Sequence, residues 1–346
     1  MAIYQNGKEV TPKLNGKNLS RVMYNGKQIW PTNNIILIDK ANSVAGDICI
    51  ADSNKNLLFC RFVNSGATHK LSDYTPIGIT VVPASHGHYA DGKCAIISLN
   101  YMNCDTPQQG SNLARSMYWG VYGTDIASLP NLDQVPYVGP NGNVGADVIG
   151  QTDNACLPSD HPQFNKVNNL YDTKTKYYYN DSDKYISSPY NNDGTFNSNY
   201  NLTTSPSSTA NCLADFDGYN NTKKIIEVRG SKDYSTWKPT YNNESDYPAA
   251  SCCDMYSTYG TNQGEWYLPS VGELGYAVVR QQAINDTISK LISAGITNIS
   301  IVSLYYYWSS SEYNRSYARN IDFDNGRVYN YATKNYNYSV RACRLV

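Results

Sequence analysis

The sequence predicts an α+β protein in which a small N-terminal β module and a β domain precede a larger mixed domain with long loop insertions. Asn-Gly turns recur in residues 1–32, β-branched runs follow in residues 33–100, and a helical pattern at 264–295 precedes alternating strands. We therefore expect three units, at residues 1–32, 33–100 and 101–346.

The first unit contains the triplet Asn-Gly-Lys three times, at residues 6–8, 15–17 and 25–27. Asn-Gly favours a type I′ turn because both central residues take positive φ. The segment therefore predicts a small meander of hairpins that ends at Pro31. Because such hairpins bury little surface alone, we interpret the unit as an attachment module, with a trivial N-terminal arm as the alternative.

The second unit consists of short β-branched runs with turn residues between them, which predict a small barrel or sandwich. The runs are NIILID, AGDICIAD, LLFCRFV, TPIGITVVP and KCAIISLNYM. His86 and His88 form a pair that could ligate a metal, but no further ligands accompany them. We interpret the pair as part of a surface turn and expect no metal site.

The third unit begins with a long polar stretch, at about residues 140–250, which has little periodicity and predicts long ordered surface loops. Within it, Asp215-Phe216-Asp217-Gly218 weakly resembles a calcium loop, but the acidic ligand that ends such a loop is missing. An ordinary Asp-Gly turn is the favoured interpretation.

Residues 264–295 predict one amphipathic helix packed on a sheet. Ser270 and Glu273 have the spacing of a capping box, directly after Pro269, and Gly295 closes the pattern. The apolar positions at roughly helical spacing are Leu274, Val278, Ile284, Ile288, Leu291 and Ile292. These residue types predict capping and core roles rather than catalysis.

The C-terminal segment predicts a hairpin with one apolar face and one polar face, followed by a last strand from Ser339 to Val346. Asn325-Gly326 supplies the turn. Ile321, Phe323 and Val328 are expected to point inward, and Asn320, Asp322, Asp324, Arg327 and Tyr329 outward.

Charge and motifs exclude several classes of function. The net charge of −1 gives no basic surface for nucleic acid, and no apolar run approaches the length of a membrane span. The N-terminal residues lack the features of a signal peptide. We found no nucleophile elbow, phosphate-binding loop, dinucleotide fingerprint or zinc-protease motif, so we expect neither an enzyme nor a cofactor.

The nine cysteines show no metal-ligand spacing and predict free thiols in a protein made in a reducing cytoplasm. An oxidised pair that involves Cys343 stays open. The aromatic composition is more informative, because 32 Tyr stand against 6 Phe and 5 Trp. Tyr with Asn, Ser and Gly is typical of recognition loops. The alternative is a Tyr-rich sheet packed on another subunit, which is strongest for Tyr305, Tyr306 and Tyr307.

Four C-terminal motifs resemble the variable proteins of diversity-generating retroelements from Bacteroidales and their phages. They are WYLPSVGEL, YYWSSSEYN, A-x-N-x-x-F-x-N-G-x-V and VRACR. The resemblance covers residues 264–346 well and residues 101–346 loosely. It implies a C-type-lectin-like fold of the formylglycine-generating-enzyme type. It also implies that adenines in Asn codons are randomised by an error-prone reverse transcriptase, which yields Tyr, Ser, Asp and Arg among others.

The resemblance implies a variable, receptor-binding region at about residues 313–338, held by fixed scaffold residues. The scaffold residues are Trp308, Ser309, Ser310, Phe323, Gly326, Val328, Val340, Arg341 and Ala342. The variable candidates are Asn314, Arg315, Ser316, Tyr317, Arg319, Asn320, Asp322, Asp324, Arg327, Tyr329, Asn330, Tyr331, Asn335, Tyr336, Asn337 and Tyr338.

The implied function is that of a phage tail-tip receptor-binding protein: a virion homotrimer that recognises a glycan or protein on the bacterial surface. The N-terminal module would then dock on other tail proteins. A cell-surface adhesin, or a structural tail protein without diversification, is the main alternative. An enzyme of the formylglycine-generating class would need a reactive pair among Cys252, Cys253 and Cys343, and is disfavoured. Calcium-dependent sugar binding is not implied, because the Glu-Pro-Asn and Trp-Asn-Asp motifs are missing.

Overall fold

The computed structural model describes residues 33–129 and 215–346, except residues 65, 87, 304 and 324–327, and short strands within residues 4–30. The larger part of the predicted loop at 140–250 lies outside the described residues.

Three short hairpins occupy the N-terminal unit, and each is a two-stranded antiparallel sheet. Their strands are β1 (Tyr4–Gln5), β2 (Lys8–Glu9), β3 (Lys13–Leu14), β4 (Lys17–Asn18), β5 (Val22–Tyr24) and β6 (Lys27–Trp30). Each predicted Asn-Gly dipeptide lies between two paired strands.

The rest of the described chain contains an eight-stranded sheet, a three-stranded sheet and four α-helices. The strands are β7 (Asn34–Ile38), β8 (Ile48–Ala51), β9 (Leu57–Phe62), β10 (His69–Lys70), β11 (Thr75–Val82), β12 (Ala95–Ser98), β13 (Trp266–Tyr267), β14 (Tyr306–Glu312), β15 (Tyr317–Asp322), β16 (Val328–Thr333) and β17 (Cys343–Leu345). The helices are α1 (Gly218–Arg229), α2 (Pro248–Met255), α3 (Val271–Val279) and α4 (Gln281–Ser293). The protein is thus α+β with antiparallel sheets.

The large sheet has the strand order β10-β7-β9-β8-β11-β12-β17-β13. All five β-branched runs of residues 33–100 form strands in it. The sheet then continues from β12 into the C-terminal strand, where Ile97 pairs with Cys343. The sheet therefore crosses the boundary that was predicted at residue 100. If residues 33–100 formed a separate domain, β12 would be an edge strand, but it pairs with β17 instead. The predicted barrel or sandwich is one layer of a shared structure.

The predicted single helix is two helices that meet at Arg280, whose backbone leaves the helical region (φ −110°, ψ 10°). The capping box is confirmed, since Ser270 N donates to Glu273 Oε2 at 2.7 Å and the Ser270 hydroxyl accepts from the Glu273 amide. The predicted core positions are buried except Ile292, which is 47% exposed, so that assignment is wrong.

Helix α1 lies within the stretch that the sequence predicts as loop and α2 begins at its end, so the prediction is wrong for α1 and for the first residues of α2. Helix α1 buries only Gly218, Asn221, Thr222 and Ile225, so its sequence shows almost no apolar stripe. Helix α2 is buried over its full length. Its apolar and polar residues therefore do not alternate with the 3.6-residue period by which a helix is predicted from sequence. Gly218 is the first residue of α1 and does not belong to the predicted turn.

Both faces of the large sheet are covered. On one face, Ile97 belongs to the same buried cluster as Leu274 of α3 and Ile288 of α4. On the other, Ile96 clusters with Ala249 of α2 and with Trp308 of β14. The small sheet is therefore attached to both halves of the core. Within the described residues, no helix combines the length and the apolar character needed to cross a bilayer.

Candidate recognition surface

The three-stranded sheet β14-β15-β16 contains the hairpin that the sequence predicts. On its inner face Tyr307, Ile321 and Val328 are cross-strand neighbours, and all three belong to the main core cluster. Phe323 packs beside them, with its ring centroid 4.5 Å from that of Tyr307. These contacts fix the sheet, so its other face is presented on a rigid support.

The opposite face begins with two cross-strand rows. Tyr306 lies opposite Asp322, and Asn320 lies between Trp308 and Tyr329. Residues 338 and 339 extend this face along β14. Ser339 N donates to Tyr306 O, and Trp308 N donates to Ser339 O, both at 3.0 Å. The pairing places Tyr338 next to Tyr306 and Trp308.

Four tyrosines form one contiguous aromatic surface, which we call the tyrosine face: Tyr306, Tyr329, Tyr336 and Tyr338. The Tyr306 ring lies 5.4 Å from Tyr329 and 5.3 Å from Tyr338, and Tyr336 lies 6.3 Å from Tyr338, between centroids. Tyr306 is 39% and Tyr336 53% exposed, and the other two are half-buried. The rings are supported by one another and still reach solvent.

The hydroxyl groups of Tyr306 and Tyr338 stay protonated at neutral pH, because the pKa of each is raised. A hydrogen bond with Tyr329 is the first cause that raises the pKa of Tyr306 to about 12, followed by burial. Burial raises the pKa of Tyr338 as well. Neutral phenols can both donate and accept hydrogen bonds. These two side chains therefore offer apolar area and polar contacts without a charge of their own.

Trp308 forms the floor under Tyr338, with ring centroids 4.7 Å apart. Its indole Nε1 donates to Met117 O at 2.8 Å, and Trp119 Nε1 donates to Ser309 O at 2.7 Å. Both indole donors are thus satisfied, as buried tryptophans require. The two bonds fasten β14 to the segment around residues 117–119.

Asn320 lies under the tyrosine face, and its side chain is fully buried. The amide is close enough to the Tyr338 hydroxyl to oppose the rise in the pKa of Tyr338. The buried amide therefore supports Tyr338 from the side of the sheet.

A buried ion pair holds the turn that carries Tyr336 and Tyr338. Lys334 donates to the Glu312 carboxylate and, at 2.6 Å, to Thr124 O, and both charged side chains are completely buried. The ammonium also lies 4.9 Å from the Trp119 ring centroid. Burial raises the pKa of Glu312 to about 7 although Lys334 opposes the change, and burial lowers the pKa of Lys334.

Asp215 connects β14 to α1 and α3 through hydrogen bonds. Its carboxylate accepts from the Ser311 hydroxyl at 2.6 Å and from Asn221 Nδ2 at 3.0 Å, and Ser311 in turn accepts from Val271 N. Burial raises the pKa of Asp215 to about 6. Because protein donors contact both carboxylate oxygens, this group acts as an internal connector.

Nine of the sixteen predicted variable residues are exposed or half-buried, and the structure brings three of them together in the tyrosine face. The nine are Asn314, Arg315, Ser316, Tyr317, Tyr329, Asn335, Tyr336, Asn337 and Tyr338. Residues 314–317 form a separate turn between β14 and β15. There the Asn314 side chain accepts from Ser316 N at 2.9 Å and Tyr317 N at 3.1 Å, so it closes the turn.

Asn320 and Asp322 were predicted to face outward and Arg319 to be variable, but the side chains of all three are buried. The register of β15 shifts against both of its neighbours between Ala318 and Asn320, and the extra residues lie in β14 and β16. The Arg319 guanidinium carbon lies 5.0 Å from the Tyr313 ring centroid. Asp324 and Arg327 lie outside the described residues, as do the side chains of Asn330 and Tyr331.

Tyr306 is the member of the tyrosine face that the sequence analysis left out. A run of three tyrosines before Trp308 hides which ones are core. Strand periodicity could have separated them, because Tyr306 shares a face with Trp308 while Tyr307 points to the opposite side. Lys334 was also missed, since a single lysine among polar residues gives no sign of burial.

No group of three or more His, Cys, Asp or Glu side chains is placed to hold a metal ion in the part of the chain that the structure describes.

Comparisons with known proteins yield little. No protein-family model matches the chain, and no curated protein matches it. Among solved structures, the chain is similar to a fimbrial protein from Bacteroides ovatus ATCC 8483, with 16% identity and a TM-score of 0.37. The match covers 87% of this chain and 48% of that protein, so the chain spans about half of its length.

Proposed function

We propose that the protein is a receptor-binding protein of a phage tail tip, and that the tyrosine face is its contact surface for the bacterial cell. The observation that carries this proposal is the cluster of four neighbouring, solvent-reaching tyrosines on a sheet whose other face is core. Tyrosine provides large contact area with few rotatable bonds, and a preorganised surface loses less entropy on binding.

The separation of buried from exposed side chains within the sheet supports the proposal of a diversified surface on a C-type-lectin-like scaffold. Tyr307, Ile321 and Val328 fill the core, where substitutions would create cavities. Tyr329, Tyr336 and Tyr338 reach solvent, where most substitutions cost little stability. A mechanism that randomised the second set and spared the first would change specificity without unfolding the protein.

Assembly into a homotrimer is part of the proposal, and the three N-terminal hairpins would attach it to other tail proteins. Several copies of one modest site raise the overall avidity when they engage the same cell surface. The receptor is then either a surface glycan or a surface protein.

The test is attachment of the purified, fluorescently labelled full-length protein to a panel of Bacteroidales isolates, followed by flow cytometry. We expect bright labelling of some isolates and none of others, and loss of that labelling in a Tyr336→Ser variant. Tyr259→Ser is the matched control, because Tyr259 is 41% exposed and has no ring contact with the tyrosine face.

Labelling that both variants retain equally would place recognition elsewhere on the molecule. Uniform absence of labelling across isolates from several host species would contradict a role in host attachment and favour a structural tail protein.

A further inference from the structure

Two buried thiols that are distant in sequence lie in contact. Cys104 Sγ and Cys252 Sγ are 3.4 Å apart although 148 positions separate the residues. Cys104 is 3% exposed and Cys252 is fully buried. The pair lies at the junction between the segment that follows β12 and helix α2.

Both thiols are held by well-anchored backbone. The segment of Cys104 is pinned on either side, because Tyr101 exchanges two backbone hydrogen bonds with Ser111 and Met102 N donates to Val340 O at 2.9 Å. Cys252 lies in the middle of α2, whose residues are all buried. The contact between the two sulfur atoms is therefore a feature of two fixed elements.

We propose that Cys104 and Cys252 form an intrachain disulfide when the folded protein meets an oxidising environment. A disulfide has a sulfur–sulfur distance of about 2.05 Å, so each thiol needs to move by less than about 1 Å. Small changes in the two χ1 angles supply such a movement. This modification site lies outside the tyrosine face and does not depend on the proposed function.

The oxidant is a low-molecular-weight disulfide such as oxidised glutathione. One cysteine, as thiolate, attacks it, which forms a mixed disulfide and releases one glutathione thiol. The second cysteine then displaces the other glutathione, so one sulfur–sulfur bond forms, one breaks, and two electrons and two protons pass to glutathione. Because burial disfavours the thiolate, the exchange requires local opening and is slow.

The cross-link would connect α2 covalently to the segment in which Met102 N donates to Val340 O. Closing a loop of this length restricts the unfolded chain strongly. We expect oxidation to raise the melting temperature by about 5 °C or more. Dithiothreitol is expected to reverse the rise.

The experiment incubates the full-length wild-type protein with oxidised glutathione, alkylates it in denaturant and maps its peptides by mass spectrometry without reduction. A linked peptide pair that joins Cys104 to Cys252 is the expected product. The assignment is secured in a Cys253→Ala variant, which removes the adjacent buried thiol and should keep both the cross-link and the melting shift. Cys252→Ala should lose both.

Alkylation of Cys104 and Cys252 as free thiols after prolonged oxidation would overturn the proposal. So would a dominant link from either residue to any other cysteine. The peptide map of the wild-type protein decides whether Cys104 is cross-linked to this helix at all, and the Cys253→Ala variant decides which of the two adjacent cysteines takes part.

Discussion

Simultaneous replacement of Tyr306 and Tyr338 by alanine is expected to weaken attachment to a recognised isolate at least about 100-fold. Central tyrosines of an interface typically contribute about 2 kcal/mol or more each, and about 1.4 kcal/mol corresponds to a factor of ten. The double change removes all three ring contacts within the tyrosine face and uncovers Trp308. Titration of the labelled protein on cells measures the effect.

Loss of folding must be separated from loss of contact in this variant. Tyr338 packs on Trp308, so a modest fall in melting temperature is expected, whereas the secondary structure should be retained. The conservative pair Tyr306→Phe and Tyr338→Phe should restore most of the area and reveal what the hydroxyls contribute. Wild-type affinity in the alanine variant, or an equal loss in Tyr259→Ala, would contradict the assignment of the site.

Replacement of Lys334 by methionine is expected to cost about 3–5 kcal/mol of unfolding free energy at pH 8. The change leaves the Glu312 carboxylate buried without its cation, although both side chains are completely buried in the native protein. The folded-state pKa of Glu312 is raised to about 7 even beside Lys334, and without the ammonium it rises further.

The loss of stability should therefore depend on pH. A carboxyl group whose folded pKa is raised contributes fully below its unfolded pKa, and this contribution is lost as the pH rises through the folded pKa. The Lys334→Met variant is thus expected to be much closer to wild type at pH 5 than at pH 8. Urea unfolding at both pH values measures this.

The control for this prediction is the double variant Glu312→Gln with Lys334→Met, which removes the charge as well as its partner. It should recover most of the stability at pH 8, because no unpaired charge remains buried. A single variant whose deficit is the same at both pH values would indicate lost packing against Trp119 instead of an unpaired carboxylate.

Local patterns sufficed to predict the elements whose burial has a simple period. The five β-branched runs form strands, the Ser270–Glu273 capping box starts a helix, and Ile321, Phe323 and Val328 point into the core. In each case one face of the element is buried, and apolar residues occupy the positions on that face. Three tyrosines of the tyrosine face, Tyr329, Tyr336 and Tyr338, are among the variable candidates, whereas Tyr306 lies outside the segment 313–338.

Features that depend on tertiary partners could not be predicted in this way. The pairing of β12 with β17 joins residues that are far apart in the sequence, and no local sequence pattern predicts it. Arg319 and Asn320 resemble surface residues in the sequence, but both are buried, Arg319 beside the Tyr313 ring and Asn320 between Trp308 and Tyr329. Helix α2 lacks a polar face because every side of it is packed.

Deep sequencing of the 3′ end of the gene across a growing population tests the central claim, a diversified tyrosine face on a constant scaffold. We predict substitutions concentrated in the codons of exposed positions such as Tyr329, Tyr336 and Tyr338, and only where a related template has adenine. The codons of Tyr307, Trp308 and Val328 should stay constant. A segment 313–338 as invariant as the codons of α3 would contradict the claim and indicate a fixed binding or subunit interface.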